Sequence, residues 1–177
     1  MFDGHGGAKV AAYAANHLHR TIVNRAEYKE NRETAIKEGF LECDRIMRTA
    51  ESLKDEMAGC TAVTVFIQGK ELWCGNAGDS RCVAGLAGTA RPLSTDHKPM
   101  DVKERERIEA AGGFVEFNRV NGNLALSRAL GDFVFKMNEQ LPQVRSAAMK
   151  KRQSDRLCFC FRVTRLSRVS RMWFTTS

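Results

Sequence analysis

Thr61-Ala-Val-Thr-Val-Phe-Ile67 is β-branched and apolar, Gln68-Gly69-Lys70 turns the chain, and Glu71-Leu-Trp-Cys74 runs back. A third apolar run, Arg81-Cys-Val-Ala-Gly-Leu86, follows the loop Gly75-Asn-Ala-Gly-Asp-Ser80. Short strands joined by tight turns predict an antiparallel meander, because a crossover to a parallel neighbour needs a much longer connection. Upstream the period changes. Val10, Ala14, Leu18 and Ile22 recur every fourth residue and predict a helix from Ala8 to about Arg25. Ile36, Phe40, Cys43, Met47, Ala50 and Leu53 step by three and four, with charged residues opposite, and predict a second, longer helix from about Asn31 to Asp55. Downstream, Asp101 with Glu104 reads as a capping box after Pro99, and Gly112-Gly113 as the stop of a short helix. Phe114-Val-Glu-Phe117 and Gly122-Asn-Leu-Ala-Leu126 read as short strands or a small flap. Two helices followed by a run of antiparallel strands predict an α+β layer fold.

Composition bounds this reading. The chain has 177 residues, 43% apolar and 28% charged, with 3 Pro and 14 Gly. That describes one ordinary globular domain or a piece of one, and excludes collagen-like and low-complexity classes. No apolar run reaches the length of a membrane span, and no basic-then-apolar leader opens the sequence. The net charge of +7 is unevenly placed. Residues 145–177 hold nine Lys/Arg (Arg145, Lys150, Lys151, Arg152, Arg156, Arg162, Arg165, Arg168, Arg171) against Asp155 alone. The rest of the chain is near neutral, so any argument for nucleic acid or acidic lipid concerns the tail only. That tail has no sustained period of 2 or 3.6 and is set apart from residues 1–144. The six cysteines form no C-x-x-C pair and have no zinc-finger spacing to His, which predicts buried thiols in a reducing compartment.

Four stretches could carry chemistry. In Phe2-Asp3-Gly4-His5-Gly6-Gly7, a carboxylate and a backbone carbonyl in a tight turn are hard oxygen ligands suited to Mg²⁺ or Mn²⁺. An imidazole two residues from that carboxylate can protonate a leaving oxygen near neutral pH. A plain Asp-Gly turn ahead of a helix is the competing reading. Ser94-Thr-Asp-His-Lys-Pro99 gathers an acid, an imidazole and an amine, or a solvated loop. In Gly75-Asn-Ala-Gly-Asp-Ser-Arg81, Asp79 is a ligand or a turn former. The run from Arg119 to Asp132 offers two arginines, Arg119 and Arg128, for phosphate or for structural ion pairs. Other chemistries fail on spacing. Lys9 stands where a dinucleotide fingerprint needs its third Gly, and no G-x-x-x-x-G-K-[ST] or G-x-S-x-G occurs. Cys74 and Arg81 are separated by six residues, one too many for a cysteine-nucleophile phosphatase loop.

Six stretches in this order, Phe2-Asp-Gly-His-Gly-Gly7, Gly59-Cys-Thr-Ala62, Gly75-Asn-Ala-Gly-Asp-Ser-Arg81, Asp96-His-Lys-Pro99, Glu106-Arg-Ile-Glu-Ala-Ala-Gly-Gly113 and the run from Arg119 to Asp132, resemble the metal-dependent protein serine/threonine phosphatases of type 2C. The resemblance covers residues 1–144. It implies an α-β-β-α sandwich with a two-metal site between the sheets, loaded with Mg²⁺ or Mn²⁺. It implies removal of phosphate from phosphoserine and phosphothreonine in proteins by a metal-bound water. On this resemblance Asp3 bridges the metals, Gly4 gives its carbonyl to one of them, His5 is the general acid, and Asp96 belongs to a third, weaker metal. Two ions about 4 Å apart lower the pKa of a shared water, so no Cys or Ser nucleophile is required. The chain is expected to be incomplete at both ends relative to this family, because residues 137–177 lack the apolar strand ending in Asp-Gly and the later Asp-Asn pair. A catalytically inactive phosphatase-like binding module is the alternative. An intracellular location, cytoplasmic or nuclear, is the further expectation, with phosphoproteins and not nucleic acid as partners.

Overall fold

The structure is a computed structural model that describes residues 1–136, 159–164 and 169–176. Its strands in chain order are β1 Gly4–His5, β2 Gly59–Cys60, β3 Ala62–Gln68, β4 Glu71–Ala77, β5 Arg81–Leu86, β6 Thr89–Pro92, β7 Val115–Glu116, β8 Arg119–Val120, β9 Leu130–Gly131, β10 Phe159–Thr164 and β11 Val169–Thr175. Its α-helices are α1 Lys9–Val23, α2 Arg32–Thr49 and α3 Val102–Ala110.

Alternation along β3 and β4 builds two cores at once. Ala62, Trp73 and Ala77 turn to one face, where they join Val10, Ala14, Leu18 and Ile22 of α1 and Ile36, Phe40, Cys43 and Met47 of α2. Val63, Leu72 and Cys74 turn to the other, against Cys82 and Ala84 of β5 and Leu93. A strand with apolar residues on both faces is buried between two layers, here helices on one side and a second sheet on the other. The α+β architecture with face-to-face antiparallel sheets is therefore as predicted. Helix α3 packs against β7 and is tied by Glu104 and Arg107 to Ser127 and Arg128.

β3 and β4 form the predicted hairpin, from Ala62 opposite Ala77 to Gln68 opposite Glu71, with Gly69 at φ +58° in the turn. The meander stops there. β5 pairs with β6 and β11, not with β4, so Gly78-Asp79-Ser80 carries the chain between sheets. Gly78 at φ +107° makes that turn, and a Cβ on it would press on Thr61. The predicted capping box at Asp101 is absent. Asp101 makes no side-chain cap, and Glu104 points inward to Arg128 of another segment and to Arg107 of its own helix. α3 does stop as predicted: Gly112 at φ +80° and the Gly113 N–H bond to Ile108 O, 3.0 Å, close the helix end. The flap is β7 paired with β8, closed by a bridge from Val120 to Leu124.

Two pieces of the basic tail are strands. β10 pairs antiparallel with β4 from Phe159 opposite Asn76 to Thr164 opposite Glu71. β11 pairs with β5 from Val169 opposite Leu86 to Thr175 opposite Arg81, with an irregularity before Arg171. The tail has no sustained period in its sequence. Phe159, Phe161 and Val163 do alternate, but over six residues, too short a run to stand out among nine cations. Residues 137–158 and 165–168 lie outside the described residues.

Candidate active site

The tight turn expected at Asp3-Gly4-His5 is instead the short strand β1, built by pairing and not by local propensity, and the chain bends after it at Gly6, φ +72°. The N-terminal residues run antiparallel to β2 and β3: Met1 N donates to Val63 O at 2.8 Å, and Thr61 N donates to Asp3 O at 2.8 Å. Asp3 N returns a bond to Thr61 Oγ1 at 3.2 Å, and that hydroxyl meets Ser80 Oγ at 2.6 Å in the interior. Gly4 opposes Cys60 and His5 opposes Gly59. A Cβ on Gly4 would lie 2.8 Å from Gly7 O, so only glycine lets the chain turn this tightly into α1.

The same small sheet delivers the residue that meets His5. β2 pairs on its other edge with β9, Gly59 opposite Gly131, and the next residue is Asp132. His5 Nε2 and Asp132 Oδ2 are 2.7 Å apart, across 127 positions of sequence. The Asp132 side chain is 4% exposed and that of His5 32%. The Asp132 bond, opposed by burial and aided by the charges of Asp132, Asp3 and Asp79, raises the His5 pKa above its ordinary value. A Cβ at Gly59 would fall 2.5 Å from both carboxylate oxygens of Asp132, so this glycine makes room for the pair. Asp132 was quoted in the sequence only as the end of the Arg119–Asp132 run. A Gly-Asp with no turn-forming neighbours was the available signal, and nothing in it pointed to position 5.

Asp3 is exposed, and among the described residues its carboxylate has no hydrogen-bonded or ionic partner. Asp96 is placed differently. Arg81 grips it with both arms, Nε to Oδ1 at 3.0 Å and Nη2 to Oδ2 at 2.8 Å. Asp79 receives Lys98 Nζ at 2.5 Å. Arg128 adopts the structural role left open for it, paired with Glu104, and Arg119 Nη1 donates to Asn123 O at 2.6 Å. His97 is buried: its ring accepts the Gly78 N–H at Nδ1, 3.1 Å, and burial, helped by Arg128, pushes its pKa down to about 4. It braces the Gly78 turn from the interior.

A divalent ion needs several hard oxygens. The Asp3 carboxylate and Gly4 carbonyl suit that chemistry. Among the described residues, no group of three or more His, Cys, Asp or Glu is placed to hold a metal ion.

A buried Asp thus braces a partly exposed imidazole beside an exposed carboxylate, on an α+β sandwich. The comparisons give the family. The family model for Protein phosphatase 2C matches residues 1–158, and the chain belongs to that family. It is 56% identical over 143 residues to a probable protein phosphatase 2C of Caenorhabditis elegans, covering 80% of this chain and 40% of that protein. It is 49% identical over 144 residues to protein phosphatase 2C homolog 2 of Schizosaccharomyces pombe, covering 80% of this chain and 39% of that protein. Among solved structures, a C. elegans sex-determining protein superposes with a TM-score of 0.73 at 29% identity, over 98% of this chain and 41% of its own. A phosphatase from a pathogenic strain of Toxoplasma gondii does so with a TM-score of 0.72 at 28% identity, over 94% of this chain and 63% of its own. The chain spans about 40% of the length of the curated relatives quoted.

Proposed function

We propose that this chain carries the proton-donor half of a protein serine/threonine phosphatase that hydrolyses phosphoserine and phosphothreonine. The His5–Asp132 contact is the observation that carries the reading. His5 gives a proton to the departing serine or threonine oxygen, and Asp132 holds the ring and favours its protonated form up to the moment of transfer. The family is metal dependent, and Asp3 and Gly4 would hold Mg²⁺ or Mn²⁺. Such an ion, when bound, would lower the pKa of a coordinated water and offset charge on the phosphoryl oxygens. Asp96, held by Arg81 through both oxygens, would keep lone pairs free for a further ion. The catalytic residues fall within 1–144, and 145–177 adds strands at two sheet edges. Cys43, Cys60, Cys74 and Cys82 are free and buried, which supports a reducing, intracellular location. Among the described residues no helix is long and apolar enough to cross a membrane.

The test is hydrolysis of a phosphothreonine peptide with added Mn²⁺. Activity is expected to vanish with a chelator, and His5→Ala is expected to lower turnover by about 10²–10⁴-fold. Hydrolysis that continues at full rate without divalent ions would overturn the reading. A second reading, a phosphatase-like binding module without turnover, is favoured by the incomplete ligand set among the described residues. It predicts no hydrolysis by the folded chain and no change on Asp3→Asn.

A further inference from the structure

We propose that Asp44, in the middle of α2, is a positioning residue for His5, acting through an ion pair with Lys136 that seats Asp132. This rests on the reading of His5 as the proton donor. The segment that presents Asp132 has little of its own to hold it. β9 is two residues long and pairs with a two-residue partner. Gly131 at φ +78° and Asp132 at φ +50° are consecutive left-handed residues, and the second carries a side chain in a region that L-residues avoid. Such a turn persists only when its surroundings hold it.

Asp44 supplies that hold from outside the sheet. Its Oδ1 accepts the Gly131 N–H at 2.9 Å, and its carboxylate receives Lys136 Nζ at 2.7 and 2.8 Å. Lys136 Nζ also donates to Ala129 O at 2.9 Å. One carboxylate and one ammonium therefore bind residues 129, 131 and 136, on both sides of Asp132, to a long helix packed in the core. From beneath, Asp132 N donates to Ala58 O at 3.1 Å. The side chains of Asp44 and Lys136 are 16% and 22% exposed, so water screens the pair only in part. Asp44 touches neither His5 nor any reacting group. What it controls is whether the Asp132 carboxylate stays within hydrogen-bond reach of the ring.

The experiment reads the His5–Asp132 bond directly, by proton NMR of the whole chain with ¹⁵N-labelled histidine. The His5 Nε2–H proton is expected far downfield, assigned by its loss in His5→Gln and in Asp132→Asn. In Asp44→Ala and in Lys136→Met this resonance is expected to disappear, or to exchange with water about tenfold faster, the protection one charge-assisted bond provides. The amide resonances of β3 and β4 are expected to stay in place, which separates positioning from general loss of structure. Lys136→Arg is expected to retain the signal. If Asp44→Ala does not fold, Asp44→Asn and Lys136→Met decide in the same way, because both leave an acceptor for the Gly131 N–H. A resonance unchanged in these variants overturns the proposal, as does its absence from the parent chain. The measurement needs no turnover, so a chain inactive as a phosphatase leaves the test intact.

Discussion

His5 and His97 are pushed in opposite directions by their neighbours. Burial dominates at His97 and disfavours the imidazolium, whereas at His5 the bond to Asp132 outweighs burial. The sign has a consequence for stability. Below about pH 6.5 both the folded and unfolded chains hold the His5 proton, and the Asp132 pair contributes in full. As pH rises from there the unfolded chain releases its proton first, and the contribution is lost through the raised folded pKa. The gap in melting temperature between the parent chain and His5→Gln is therefore expected to be larger near pH ~6 than near pH ~9. A gap that does not change with pH would mean that the pair is not ionic. Glu104 has the opposite sign. Burial would raise its pKa, but Arg128, Arg107 and Ser127 together outweigh that and hold it at about 2. Its contribution is full above the unfolded value near ~4.3 and is lost as pH falls through the folded one. Glu104→Gln leaves two arginines without their carboxylate and is expected to cost about 3 kcal/mol at neutral pH, measured by urea unfolding. This difference is expected to fade in strong acid.

The elements were legible where one face of a segment repeats. α1 lies within a residue or two of its predicted bounds because Val10, Ala14, Leu18 and Ile22 are all fully buried. α2 begins where Asn31 caps it, its side chain accepting the Thr34 N–H at 3.1 Å, and ends at Thr49, short of the predicted Asp55. Ala50 and Leu53 continue the apolar pattern from a separate turn of 3₁₀-helix, Glu51–Leu53. The α1–α2 crossing depends on a residue without a side chain. A Cβ on Gly39 would overlap Ile22, at 2.9 Å from its Cα. Alanine would gain up to ~1 kcal/mol of helix propensity, but overpacking of this kind costs ~1–3 kcal/mol. Gly39→Ala is accordingly expected to destabilise the chain. An equal or higher urea midpoint would show that the helices can part there freely. Glu104 marks where local reading misled: its spacing from Asp101 suits a cap, yet Arg107 and Arg128 draw it into the interior.

At the scale of the molecule, β10 and β11 occupy edges of β4 and β5 that would otherwise present unpaired backbone groups. Deleting residues 145–177 is expected to lower the urea midpoint and to increase light scattering on standing. A truncated chain as stable and as monodisperse as the parent would show that these pairings contribute nothing. The layers and the β3–β4 hairpin were readable from residue order, because periodicity, β-branching and glycine act over a few neighbouring positions. So was the family, because its motifs recur as local strings. Which edges meet was not readable. That β5 leaves β4 for another sheet, that Arg81 takes up Asp96, and that Asp132 reaches His5 with Asp44 behind it all depend on contacts between residues far apart in the chain. Such contacts leave no periodic trace in a single sequence. They exist only once two cores have formed and the cost of bringing distant segments together has been met by burial.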